Sequence, residues 1–358
     1  MDAIPKRVSL VAQTTTILRD SLQAGIWKDF LPGEHDLCAR FQVSRPTVRS
    51  ALLQLEHEGW LKRQPGQRRA LVANRVNPGL APLNRQVVLL SPLALPQISA
   101  NALLWVDALR DQVGAAGYRL EFHTTQASAV QHPALRLESL ARRLRPAAWV
   151  LYQSSAEVQA WFSERGLPAI IAGSRHPRVD LSSVDIDYAA TCSHAVGLLA
   201  GKGRRRIALL MPRSGCAGDL DSEAGFITAA QKFQGDGMQA SVTYHDDSAA
   251  DICRTLDLLR RGDSPRTGLL VAKPLNVITA VSHLLRCAVK FPQDLSLISR
   301  DDDPAVERLV PAVTRYHTDP SKFARKVSRL VLDLLPGGAR HHHDSRLMPT
   351  LVRGETLA

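Results

Sequence analysis

The chain has 358 residues, 45% hydrophobic and 22% charged, a size and balance that suit two or three globular domains rather than a disordered or fibrous protein. The formal net charge of +11 favours nucleic acid or another anionic surface as partner. No run of about 18 apolar residues and no apolar leader is visible, and the five cysteines (Cys38, Cys192, Cys216, Cys253, Cys287) are scattered without a CxxC pair. A membrane span, an export signal and a disulfide framework are therefore not expected; reduced thiols in the cytoplasm are.

Charge is concentrated at the front, with net +5 over residues 1–80 and +6 over the other 278. Leu10, Val11, Thr14, Ile17, Leu18 and Leu22 predict a helix from Leu10 to Ala24, closed by Gly25. Phe30-Leu31-Pro32-Gly33-Glu34 turns into a short second helix. Glu34 and Asp36 stand in its first turn, and Leu37 and Phe41 face inward. After the tight turn Gln42-Val43-Ser44 comes a third helix. Its apolar stripe is Val48, Ala51, Leu52 and Leu55; its other face carries Ser44, Arg45, Thr47, Arg49 and Gln54. Ser44 is placed to cap it and Pro46 sits near its start, where a missing N–H costs nothing. Two helices so closely joined form a helix-turn-helix, whose second helix enters the major groove. Trp60 to Val72, broken by Pro65-Gly66, then predicts a basic β-hairpin, which makes the unit a winged helix.

Residues about 8–74 resemble the GntR family of bacterial transcription factors through Leu31-Pro32-Gly33-Glu34, Leu37, Val43 to Arg49, Ala51-Leu52, Leu55, Glu58-Gly59 and Gly66. The resemblance implies DNA contacts from the position of His35, from Ser44, Arg45, Pro46, Thr47 and Arg49, and from the wing tip Gly66. Arg63 and Arg68 flank that tip and suit phosphates. The family often has Ser where Gly33 stands and a basic residue where His35 stands.

Residues 75–85, rich in Pro, Gly and Asn, read as a linker. From Gln86 on, short apolar strands alternate with amphipathic helices. Strands are expected near 87–90, 118–122, 147–151, 168–171, 207–210, 241–243, 269–271 and 295–298. Helices are expected at 100–114, 134–144, 158–166, 225–233, 250–261 and 277–285. That alternation argues for parallel sheets covered on both faces, and so many units argue for two doubly wound lobes with a cleft between. The fold class is thus α/β: an N-terminal winged helix-turn-helix (8–74) joined to a two-lobed domain (86–358).

Residues 86–353 resemble the LacI/GalR-type sensor, the periplasmic-binding-protein-like fold. The stretches that carry this are Val184 to Tyr188, Ala195 to Ala208, Gly225-Phe226, Phe291 to Ile298, Asp301-Asp302, Pro311 to Thr314 and Leu351 to Gly354. In that family an Arg three residues before the Gly-Phe pair grips effector hydroxyls; here Ser222 stands there. A carboxylate after the strand at 269–272 is replaced by Pro274, next to Lys273, while Asp301 is retained. Three readings stay open: a chemically different effector, a new charge from Lys273, or a pocket without small-molecule function. Ser91 and Gln153, just past strand ends, complete the expected effector set of Ser91, Gln153, Ser222, Lys273 and Asp301.

No GxSxG, Walker loop or HExxH occurs, so neither catalysis nor a cofactor is expected. His341-His342-His343 reads as a surface loop, and Asp301-Asp302-Asp303 lacks calcium-loop spacing. The expected function is that of a DNA-binding regulator, a repressor acting as a homodimer on double-stranded operator DNA under a small-molecule effector. The alternative is a sensor that answers to a partner protein or a non-sugar ligand.

Overall fold

The computed structural model describes residues 9–23, 27, 30–57, 60–62, 70–71, 85–125, 133–261, 267–335 and 343–357. They fall into two compact units: Met1–Arg85 with Leu140–Ala147, and Gln86–Ser139 with Ala148–Ala358. The first unit holds α1 (Leu10–Gln23), α2 (Glu34–Phe41), α3 (Arg45–His57), β1 (Leu61–Lys62) and β2 (Ala70–Leu71). Its core is Leu18, Leu22, Leu31, Leu37, Leu61 and the α3 stripe Val48, Ala51, Leu52 and Leu55, all buried. The 3.6-residue spacing of that stripe is what turns the polar face of α3 outward. Gln42, in the left-handed region at φ 52, ends α2, its N–H donating to the Cys38 carbonyl, and so creates the tight turn before α3. β1 and β2 pair antiparallel, Leu61 opposite Leu71. The wing tip with Arg63, Gly66 and Arg68, and the linker apart from Arg85, lie outside the described residues.

The second unit contains two sheets. The first lobe is built from β3 (Gln86–Ser91), α4 (Ala100–Ala115), β4 (Arg119–Thr124), the start of α5 (Pro133–Leu144), whose residues from Leu140 on group with the first unit, β5 (Ala148–Tyr152), α6 (Ala156–Glu164), β6 (Ala169–Ala172) and β7 (Ser182–Ile186). The second lobe follows with α7 (Tyr188–Gly201), β8 (Arg206–Pro212), α8 (Ala217–Gln231), β9 (Gln239–His245), α9 (Ala249–Arg260), β10 (Thr267–Val271), α10 (Pro274–Arg286), β11 (Leu295–Ser299) and β12 (Thr314–His317). The chain then returns to the first lobe for α11 (Pro320–Leu334) and β13 (Asp344–Leu347), and ends on the second with β14 (Thr350–Val352). The strand orders are β13-β7-β6-β5-β3-β4 and β14-β12-β11-β10-β8-β9. The first sheet is wholly parallel, and the second is parallel but for β14 on β12. β5, β6, β8, β10 and β11 are almost completely buried, as strands covered on both faces must be.

Most expected elements appear within a few residues of their expected ends. The exception is α8, which starts at Ala217, two turns before Gly225. Its first turns bury Ala217, Gly218, Asp219 and Ser222, small or polar residues that leave no hydrophobic period to read. Gly225 has its own reason: a Cβ there would run into the backbone of Ala189, so glycine permits the close approach of α7 and α8.

Candidate nucleic-acid interface and inter-lobe site

On α3 the Ser44 hydroxyl caps the helix, accepting from the Thr47 N–H at 3.4 Å and lying 2.8 Å from Thr47 Oγ1. Ser44, Arg45, Pro46 and Arg49 are exposed and Thr47 is half-buried, on the face opposite the core. Arg45 and Arg49 form no ion pair among the described residues. His35 is exposed on α2. Gln54, also exposed, stands at the edge of this face, its Oε1 accepting from Thr15 Oγ1 of α1 at 3.3 Å. Leu53 is exposed as well.

In the second unit, the strand orders reverse between β3 and β5 and between β8 and β10. Open α/β sheets bind ligands at the carboxyl ends of strands flanking such points. Ser91 ends β3 and Gln153, at φ 50, follows β5; Lys273, at φ 66, follows β10. The two carboxyl edges face each other. Asp221 of α8 accepts from Arg346 of β13 at 2.7 Å, and Ser174, past β6, lies 3.1 Å from the same carboxylate. The Asn101 N–H of α4 donates to Asp303 Oδ2, past β11, at 3.3 Å.

The expected effector residues are placed but largely engaged. Ser91 is buried, its Oγ accepting from the Leu93 N–H at 3.2 Å. Gln153 donates to the Tyr152 hydroxyl at 3.1 Å. Lys273 is tied to Asp247 at 3.1 Å. Ser222 and Asp301 meet through a residue that the sequence reading missed. Arg300, at the end of β11, donates from Nη1 to Ser222 Oγ at 2.9 Å and to Asp219 Oδ1 at 2.7 Å. Its Nε and Nη2 both reach Asp301 Oδ2, at 3.0 and 2.8 Å, and its guanidinium lies 4.3 Å from the Tyr188 ring centroid. A cation is thus held against Ser222 after all, supplied from another strand. Its signal in the sequence was an Arg immediately after an apolar strand and before three carboxylates.

Burial would raise the Asp219 carboxyl, but Arg300 and the Ser214 hydroxyl hold it below its ordinary value. Asp185, buried at the end of β7 beside Ser174 Oγ at 2.6 Å, is pushed up by burial to about 6. Gly218, in the first turn of α8, clears both groups: a Cβ there would stand 3.0 Å from the Tyr188 ring and 3.3 Å from Asp185 Oδ2.

The acidic run after Arg300 is divided among protein partners. Asp302 accepts from Arg315 at 2.7 Å and from His317 at 2.6 Å, and Arg315 also holds Glu307. Asp257, His283 and Cys287 also converge, but His283 Nε2 is bonded to Asp257 at 2.8 Å and Nδ1 faces Arg286 at 3.0 Å. No helix among the described residues is long and apolar enough to cross a membrane.

Two families match the chain. Residues 10–70 match "Bacterial regulatory proteins, gntR family", and residues 196–357 match "Periplasmic binding protein-like domain". The front segment is 42% identical over 60 residues to the uncharacterized HTH-type transcriptional regulator YurK of Bacillus subtilis; this covers 16% of the chain and only 25% of YurK. The transcription regulator CcpA of Lactococcus lactis has a similar structure (TM-score 0.66, 16% identity, 76% of this chain and 99% of that one). So has a periplasmic binding protein/LacI transcriptional regulator of Alkaliphilus metalliredigens complexed with D-xylulofuranose (TM-score 0.64, 15% identity, 77% and 100%). The chain thus joins a front segment, residues 10–70, that matches the bacterial gntR family to a two-lobed domain whose residues 196–357 match the periplasmic binding protein-like domain.

Proposed function

We propose that the chain is a transcriptional regulator that lays α3 in the major groove of operator DNA. Arg45 and Arg49 address base edges, and Ser44, Pro46 and Thr47 fix the helix start against the backbone. His35 and the hairpin residues Arg63, Gly66 and Arg68 add contacts on either side. The observation that carries this reading is the pair of exposed guanidiniums, unpaired among the described residues, on a capped helix whose other face is core. The working limits are 8–74 for the DNA-binding domain, 75–85 for the linker and 86–358 for the sensor. Two copies read a near-palindrome as a homodimer. A small molecule between the lobes, near Ser91, Gln153, Ser222, Lys273 and Asp301, relieves repression with a coupling energy on the order of 1–3 kcal/mol. The fold shared with a regulator complexed with D-xylulofuranose supports that role.

One observation favours a second reading for the sensor. Four of the five Arg300 N–H groups, and the Lys273 ammonium, are already bonded inside the protein. A non-sugar ligand or a partner protein is then the signal. The test begins with selection of bound duplexes from a random pool, followed by anisotropy titrations. Arg45→Ala weakens the selected operator by about 1–3 kcal/mol and relaxes preference at one base position. Unchanged affinity and preference remove the assignment. Thermal shifts with sugars, nucleosides and phosphorylated metabolites separate the two sensor readings, the second being favoured where none responds.

A further inference from the structure

The exposed face of α11 carries Lys322, Arg325, Lys326 and Arg329, at i, i+3, i+4 and i+7. Its opposite face is consumed by the first-lobe core. Phe323, Ala324, Val327, Leu330 and Val331 are buried, and the Phe323 ring lies 5.2 Å from that of Trp105 on α4. No carboxylate occurs between Pro320 and Leu332, and none of the four cations forms an ion pair among the described residues. Among the described residues the hydrogen bonding of these four side chains is local, from Arg325 Nε to the Ser321 carbonyl at 3.3 Å. On α4, by contrast, exposed Arg110 is met by Asp107 at 2.5 Å. Residues 81–358 carry a net charge of only +6, against which four cations without a carboxylate on one helix face stand out.

We propose that the α11 stripe is a second DNA-binding surface, which lies along phosphates of the duplex outside the sequence read by α3. The inference rests on the assignment of α3 to operator DNA. Like charges at i, i+3 and i+4 repel one another on a helix, and a polyanion relieves that repulsion. Seven residues of helix span about 10.5 Å, the axial rise of roughly three base pairs at about 3.4 Å each. The apolar side of α11 is buried apart from Leu332, which is 36% exposed beside the stripe and is too little apolar surface to insert into lipid or to seat an amphipathic peptide. Recognition here rests on charge alone, and that suits sequence-independent contact with duplex DNA.

The test uses the full chain and a variant with Lys322→Gln, Arg325→Gln, Lys326→Gln and Arg329→Gln, its thermal unfolding first matched to wild type. Both are titrated from roughly 50 to 200 mM salt against an operator in long flanks, the same operator trimmed to its core, and a scrambled duplex. Four phosphate contacts at about 0.9 each in the salt slope make wild-type binding to the long duplex fall on the order of a hundredfold more than the variant's over this range. The ratio of operator to scrambled affinity is the same for both proteins, and they agree on the trimmed duplex. Equal salt slopes on the long duplex overturn the proposal. So does a changed operator ratio, which would place these cations in sequence reading. Loss of binding to poly-aspartate with an unchanged DNA slope also overturns it, in favour of an acidic protein partner. A wild-type chain indifferent to operator sequence sinks the α3 assignment, while the difference in slope still reports on α11.

Discussion

Replacing Arg300 by Met keeps most of its volume and removes its charge. In the native protein the guanidinium is 5% exposed and its partner Asp219 9% exposed, and four hydrogen bonds tie it to Asp219, Asp301 and Ser222. Taking one partner from a buried ionic cluster leaves an uncompensated carboxylate and costs about 3–5 kcal/mol. For a domain this large each kcal/mol shifts Tm by about 2–4 °C, so calorimetry should find the sensor transition lowered by roughly 6–20 °C at neutral pH. The pH dependence gives a second check. In wild type the folded-state value of Asp219 is depressed, so its stabilisation is present above the unfolded value near 3.9 and lost as pH falls further. In the variant burial is opposed only by the Ser214 hydroxyl and the Lys273 charge, so the value of that carboxyl rises relative to wild type and the folded state loses less stability as acid neutralises it. The gap between the two proteins therefore narrows as pH falls from about 7 towards 4. Adding Asp219→Asn to Arg300→Met recovers part of the loss. A destabilisation below about 1 kcal/mol, or a gap that does not change with pH, refutes the idea that this cluster is a buried charge balance.

Asp185 should make its own mark on the stability curve. Its folded value of about 6 is raised by burial, so its contribution is complete below the unfolded value near 3.9 and lost as pH rises through 6, on the order of 3 kcal/mol in all. Asp185→Asn flattens the wild-type profile between pH 4 and 7 in a series of urea titrations; a difference curve without slope there excludes a raised value. Gly225→Ala drives a methyl into the Ala189 backbone and lowers the sensor Tm by several degrees or abolishes soluble expression, whereas Gly215→Ala, with open space around its Cβ, serves as the neutral control. Ser44→Ala removes the α3 cap and weakens the DNA-binding domain by about 1 kcal/mol, read as a lower midpoint of its unfolding transition.

The helices of the first unit were legible because each has one apolar stripe, and Val48, Ala51, Leu52 and Leu55 alone fix which way α3 faces. The parallel sheets were legible from apolar runs such as those of β8 and β11, which need no partner to be recognised. The start of α8 was hidden for the converse reason: it packs through Gly218, Asp219 and Ser222, whose burial depends on what meets them. Arg300 was hidden in the same way. Position-by-position matching found Ser222 where a cation was expected, but the space beside a residue can be filled from any strand end that reaches it. Gln54 is exposed, as the pattern of α3 implied, but its bond to Thr15 of α1 had no signal in that pattern.

The polar contacts of the sensor divide into two classes with different energetic weight. Arg300, Asp219, Ser222, Asp301 and Tyr188 all belong to the second lobe, so that cluster shapes one wall and moves with it. The bridge between the lobes is a different kind of interaction. Arg346 and Asp221 are 30% and 36% exposed, and pairs so accessible to water contribute at most about 1 kcal/mol. Opening the lobes therefore sacrifices little at that bridge, while distorting the wall sacrifices much. A signal that favours one lobe arrangement needs only a differential affinity comparable to that weak pair to shift the balance there, since a ligand moves an equilibrium by the difference in its affinity for the two states. Arg346 and Ser174 on Asp221, together with the Asn101–Asp303 hydrogen bond, are thus the weak polar links between the lobes, whereas the Arg300 cluster holds one wall in shape.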